Sequence, residues 1–143
     1  MQKLLILSLL TGVQQNYIEV VKWYRLAAEG GNADAQFLLG GMYATGSGIP
    51  ENYAESIRWL RLAAEQGNPN AQTLLGFSYW WGRGVPQNDI RAYVWFSVAS
   101  ALGEEEAGMH RDKIEERLSS AERATAQELA TKCFESDFQD CPL

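Results

Sequence analysis

The sequence predicts an all-α fold, a right-handed solenoid of antiparallel helix pairs. Three observations predict it. A 36-residue period runs along the chain: residues 12–47 and 48–83 agree at nineteen of 36 columns, and a third copy, 84–119, begins alike and then decays. Each copy carries two stretches of helical apolar spacing set off by asparagine, glycine and proline. Nothing in the chain reads as a sheet. Units that each hold a helix pair bury their core against their neighbours and stack into a superhelix.

The elements follow in order. Residues 1–11, MQKLLILSLLT, hold a seven-residue apolar run from Leu4 to Leu10. They occupy the register of a helix from a truncated preceding unit. The run is too short for a transmembrane span. A signal peptide and a packed helix are both compatible with it. In each unit one helix begins at Asn16, Asn52 or Asn88, residues suited to an N-cap. Glu19 and Glu55 follow three residues later, the spacing of a capping box. In the second unit Ile57, Leu60 and Ala64 make one apolar face. This helix ends near Gly31, Gly67 and Gly103.

Asn32 and Asn68 open the second helix, with Pro69 at a favoured first-turn position. It carries Leu38, Leu39, Gly40 and Tyr43, then Leu74, Leu75, Gly76 and Tyr79. A mid-helix glycine costs about 1 kcal/mol against alanine. Gly40 and Gly76 therefore predict that a neighbouring helix packs close. Gly46-Ser-Gly48 and Gly82-Arg-Gly84 break the chain, and Pro50 and Pro86 delay re-entry into helix. In the third unit Arg111 and Asp112 replace the Leu-Gly pair. Ser119 and Glu122 predict a capping box for a last helix within residues 120–143, with Leu129 and Cys133 four apart. The count expected is eight helices in four pairs. Trp23, Trp59 and Trp95 recur at the period and are expected in the core.

The 143 residues fit one domain, 1–143. The net charge of −6 lies wholly in residues 104–143, which carry eleven acids and five bases. That disfavours nucleic acid, whose phosphates need clustered Lys and Arg, and anionic membrane surfaces. No membrane insertion is expected. Cys133 and Cys141 are compatible with free thiols in a cytoplasmic protein. They are also compatible with a disulfide pinning the tail, which needs an oxidising compartment. The cysteine pair and the apolar N-terminus together lean towards a periplasmic or secreted protein.

The pattern A-x-x-x-L-G-x-x-Y-x-x-G-x-G-V-x-x-(N/D)-Y-x-x-(A/S)-x-x-W-x-x-x-A-A-x-x-G resembles the Sel-1-like repeat, a relative of the tetratricopeptide repeat. Ala35, Leu39, Gly40, Tyr43, Gly46, Gly48, Asn52, Tyr53, Trp59, Ala63, Ala64 and Gly67 carry the resemblance. Residues 71–103 repeat it with Asp89-Ile90 for Asn-Tyr and Ser100 for the second alanine. The resemblance covers residues 12–118. It implies a non-enzymatic, TPR-like solenoid that holds partner proteins or peptides, as such adaptors do in bacteria and eukaryotes.

It also implies that the Leu-Gly helix of each pair lines a concave face. That face would carry Phe37, Gly41 and Thr45, then Asn70, Thr73, Phe77, Trp80 and Trp81, then Met109 and Lys113. Between the two full units Phe37, Gly41, Ala44 and Thr45 become Thr73, Phe77, Trp80 and Trp81, so bulk is gained at one end. Phe77 and Trp81 are helical neighbours at four residues, and Trp80 is three from Phe77. Exposed aromatics on a hollow would anchor a peptide. The competing reading is that a tryptophan fills the gap left by the decayed third unit.

Chemistry is sparse. His110 is the single histidine. His110-Arg111-Asp112 has the letters of a kinase catalytic loop without its Gly-rich loop, lysine strand or D-F-G. A metal site needs more ligands than His110 and Asp112 supply, so none is expected. No P-loop or G-x-S-x-G occurs, and no cofactor is implied. Three functions are weighed: a module that binds a protein or peptide; a self-assembling repeat that dimerises through residues 4–10; and a small hydrolase using carboxylates.

Overall fold

A computed structural model describes residues 2–143; within the first helix the side chains of Gln2, Leu4–Thr11 and Val13–Gln15 lie outside the described residues. Seven helices follow one another, with no strand among the described residues: α1 (Gln2–Glu29), α2 (Ala33–Thr45), α3 (Tyr53–Glu65), α4 (Pro69–Trp81), α5 (Asp89–Ala101), α6 (Glu105–Glu115) and α7 (Ser120–Glu135). The caps follow the asparagines. Asn32, Asn52, Asn68 and Asn88 each accept the backbone N–H three residues on, opening α2 to α5. Ser119 and Glu122 close a reciprocal capping box on α7. At Asn52 only half of the expected box forms, because Glu55 turns to Arg58 at 2.9 Å. That carboxylate holds the Arg58 guanidinium above its usual pKa.

The close helix approaches are where the glycines stand. A Cβ on Gly40 would lie 2.8 Å from Leu60 of α3, and one on Gly76 would lie 2.6 Å from the Phe96 ring of α5. The missing side chains let α2 lie along α3 and α4 along α5. Gly84 is equally tight: its Cβ would meet the Tyr53 carbonyl at 2.7 Å. Gln36 and Gln72, both buried, add a repeated tie. Each donates 3.1 Å to a carbonyl of the helix before it, Ala28 and Ala64 respectively.

Three expectations are corrected. Asn16 caps nothing, because residues 2–29 form one continuous helix. The later breaks read Gly-Ser-Gly-Ile-Pro and Gly-Arg-Gly-Val-Pro; the same columns at 10–14 read Leu-Thr-Gly-Val-Gln. Both the left-handed cap glycine and the proline are gone, so nothing stops the helix. The eight helices thus become seven. Nor is there a fourth hairpin at the C-terminal end, since α7 packs chiefly on α5 and meets α6 through Arg123 and Gln127 at Glu115. Asp112 stands where Gly40 and Gly76 permit close pairing, and Arg111 stands where Leu39 and Leu75 are buried. Finally, Trp59 and Trp95 are 4% and 0% exposed, but Trp23 is 68% exposed. Its counterparts lie under a preceding Leu-Gly helix, and α1 has none folded back on it.

The chain end is built in. Asp137 and Phe138 take positive φ, 56° and 66°, and turn the tail back. The Phe138 ring lies buried over Gly67, Gln139 donates to the Glu65 carbonyl at 3.1 Å, and Trp95 donates to the Pro142 carbonyl at 3.3 Å. Cys133 and Cys141 are disulfide-bonded across this turn.

Candidate functional site

The adjacent tryptophans divide. Trp80 is half-buried against the core, its ring centroid 6.2 Å from Phe96 and 5.5 Å from His110. Trp81 is 54% exposed at the end of α4. Phe77 joins them: it stacks on Trp81 at 4.7 Å and meets Phe96 edge-on at 5.1 Å. One tryptophan therefore ties α4 to α5 and α6, while the other reaches solvent on a ring that is itself fixed in the core.

Beside Trp81 lies a cavity of about 160 Å³. Thr45 and Ala44 from the end of α2, Tyr53, Ser56 and Leu60 from α3, and Leu74, Phe77, Ser78 and Trp81 from α4 wall it. Arg83, in the following turn, closes one side with its guanidinium carbon 5.0 Å from the Trp81 ring centroid. Among the described residues no carboxylate pairs with Arg83. The arrangement offers an apolar, aromatic recess with one cation at its rim.

Of the residues read from sequence, Thr45, Phe77 and Trp81 meet at this recess. Phe37 is half-buried against the core. Gly41 has open space above it, since a Cβ there would meet nothing within 4 Å. Thr73 is half-buried and bonds back to the Pro69 carbonyl at 2.9 Å. Asn70, Met109 and Lys113 are exposed and do not line the recess. Sequence reasoning missed Tyr53, Leu74 and Arg83. Arg83 left a signal, standing in the turn where the preceding unit has Ser47.

His110 lies among Phe77, Trp80 and Phe96, with Nε2 at 3.5 Å from Glu106. Its Nδ1 is buried without a partner among the described residues. Among the described residues no three His, Cys, Asp or Glu side chains gather as a metal site requires. None of the described helices is long and apolar enough to cross a membrane.

The Sel1 repeat family model matches residues 7–32, 33–68 and 69–104, more than half of the chain. The chain belongs to the Sel1 repeat family. Two solved structures resemble it. A protective antigen of uropathogenic Escherichia coli with an SLR fold is 32% identical, with a TM-score of 0.80 over 85% of this chain. The chain spans only 27% of that antigen's length. A Sel1 repeat protein from Oxalobacter formigenes is 40% identical, with a TM-score of 0.64; the match covers 66% of this chain and 71% of that one. None of the curated proteins compared with the chain matches it. Sel1 repeat proteins generally mediate protein–protein interaction.

Proposed function

We propose that this chain is a non-enzymatic module that grips a peptide or protein segment on the face formed by the Leu-Gly helices α2 and α4 and their degenerate counterpart α6. The observation that carries the reading is Trp81, more than half exposed and walling a recess whose floor is core. A recess of about 160 Å³ suits one apolar side chain of a partner. Arg83 at the rim suits a carboxylate beside that side chain. Phe37, Gly41, Asn70, Thr73, Met109 and Lys113 extend the same face and would line the path of the bound segment.

Trp81→Ala tests the reading. Its ring is exposed, so the circular dichroism and melting should stay near the parent's. Loss of a central aromatic anchor is worth about 2 kcal/mol or more, roughly a thirtyfold weaker partner. Pull-down from the source cell with mass spectrometry should lose its specific proteins. Unchanged capture by Trp81→Ala sets the reading aside. Trp80→Ala is the contrast, since it should lower stability.

A second reading is self-association through the N-terminal helix. The 68% exposure of Trp23, at a column buried in both later repeats, favours it. A mass of one chain in light scattering at tens of micromolar would reject it. We further place the protein in an oxidising compartment, on the bonded Cys133 and Cys141. Two free thiols, counted under denaturing conditions in protein from its native compartment, would reject that placement.

A further inference from the structure

Helix α1 exposes a face that the repeat buries elsewhere. Val20, Trp23 and Ala27 stand on one side of the helix, at steps of three and four. Val20 is 40% exposed and Ala27 is exposed too. One period on, Ser56, Trp59 and Ala63 are all buried; two periods on, so are Ala92, Trp95 and Ala99. In those units the Leu-Gly helix of the same pair, α2 on α3 and α4 on α5, lies on the helix in question. Its register is set by Gly40 against Leu60 and Gly76 against Phe96. Moved back one period of 36, the same register pairs position 4 with Tyr24.

Residues 4–10 therefore hold the register of the helix that α1 lacks, and every one of them except Ser8 is Leu or Ile. They cannot cover residues 20–27 of their own chain. One unbroken helix carries positions 4 and 24 about 30 Å apart at 1.5 Å per residue.

We propose that a second copy of the chain supplies the cover. The two α1 helices pair antiparallel about a two-fold axis near residue 14, midway between positions 4 and 24. Residues 4–10 of each copy lie along residues 18–24 of the other, over Val20 and Trp23. This is an exchange of the missing hairpin between copies, and an extended hinge is how such exchanges arise. The hinge here is the stretch 10–14, which has Leu10 in place of the cap glycine and Gln14 in place of the proline. The proposal rests on the self-association reading and adds its geometry.

Light scattering at tens of micromolar should give twice the 16.0 kDa chain mass. Trp23→Glu should give the single mass with unchanged helix content. The deciding variant writes the turn of residues 46–50 into 10–14: Leu10→Gly, Thr11→Ser, Val13→Ile and Gln14→Pro together. It should close the hairpin within each chain and run as a monomer of parent helicity. A parent that is itself monomeric overturns both the exchange and the self-association reading. If the parent is dimeric and Trp23→Glu monomeric, but the turn variant stays dimeric, the exchange alone is overturned. Should the turn variant not fold, cross-linking decides. With a short bis-maleimide, Gln14→Cys, at the axis, should link two chains and Lys3→Cys should not. No linkage at position 14, or equal linkage at both, overturns the antiparallel exchange.

Discussion

At the scale of single residues, one column can have different fates because its neighbours differ. Trp23, Trp59 and Trp95 are the same residue at the same step, yet only the latter two are covered. Trp59→Ala should cost about 3–5 kcal/mol in urea unfolding, the range for deleting a buried aromatic. Melting like the parent would misplace the core. The glycines give a paired test. Gly76→Ala drives a methyl into the buried Phe96 ring and should cost about 1–3 kcal/mol. Gly41→Ala, one repeat earlier in α2 and facing open space, should be neutral or stabilise by up to about 1 kcal/mol. Equal effects at the two positions would refute the close approach. Gln36 and Gln72 were legible only as a repeated Ala-Gln pair. That each amide ties a helix to the one before is a matter of which carbonyl lies within reach.

At the scale of elements, local chemistry sets most boundaries. Four asparagines and one serine cap helices as their residue type suggests. Asn88→Ala should therefore cost about 1 kcal/mol. Asn16 shows the limit: a capping residue caps only where the chain has first been interrupted. The C-terminal tail shows another. Nothing in its sequence marks Phe138 as core, because its burial depends on two left-handed residues and on Gly67, seventy-one positions earlier. Phe138→Ala should cost about 3 kcal/mol, while Phe134→Ala, on the exposed side of α7, should cost far less. Cys141→Ser opens a short loop and should lower stability by roughly 2–3 kcal/mol. A smaller loss than about 0.5 kcal/mol, measured against the oxidised parent, would mean the bridge does not hold the tail.

At the scale of the whole molecule, two clusters carry the fold. The larger runs from Ile57 through α4 and α5 to Phe138; the smaller joins Val21, Ala28, Ala35, Leu39, Tyr43 and Trp59. In a solenoid each unit is stabilised by its neighbours, and among the described residues Trp23, beside the smaller cluster, is left 68% exposed. Native-state hydrogen exchange should find the amides of α2 opening at lower free energy than those of α5. Equal protection would mean that the chain unfolds as one unit. Binding of a second copy on α1 should narrow the gap as concentration rises.

Local pattern was enough for the helical repeat, its period and every cap and turn except the one expected at Asn16, because these depend on contacts within a few residues or on columns that recur. It also brought Thr45, Phe77 and Trp81 into one list. Long-range packing settled the rest: which tryptophan of the pair faces solvent, that Tyr53, Leu74 and Arg83 complete the recess, and that Trp23 stands uncovered. Burial is a property of what lies opposite, and in a stack of near-identical units the opposite surface is a different part of the chain each time.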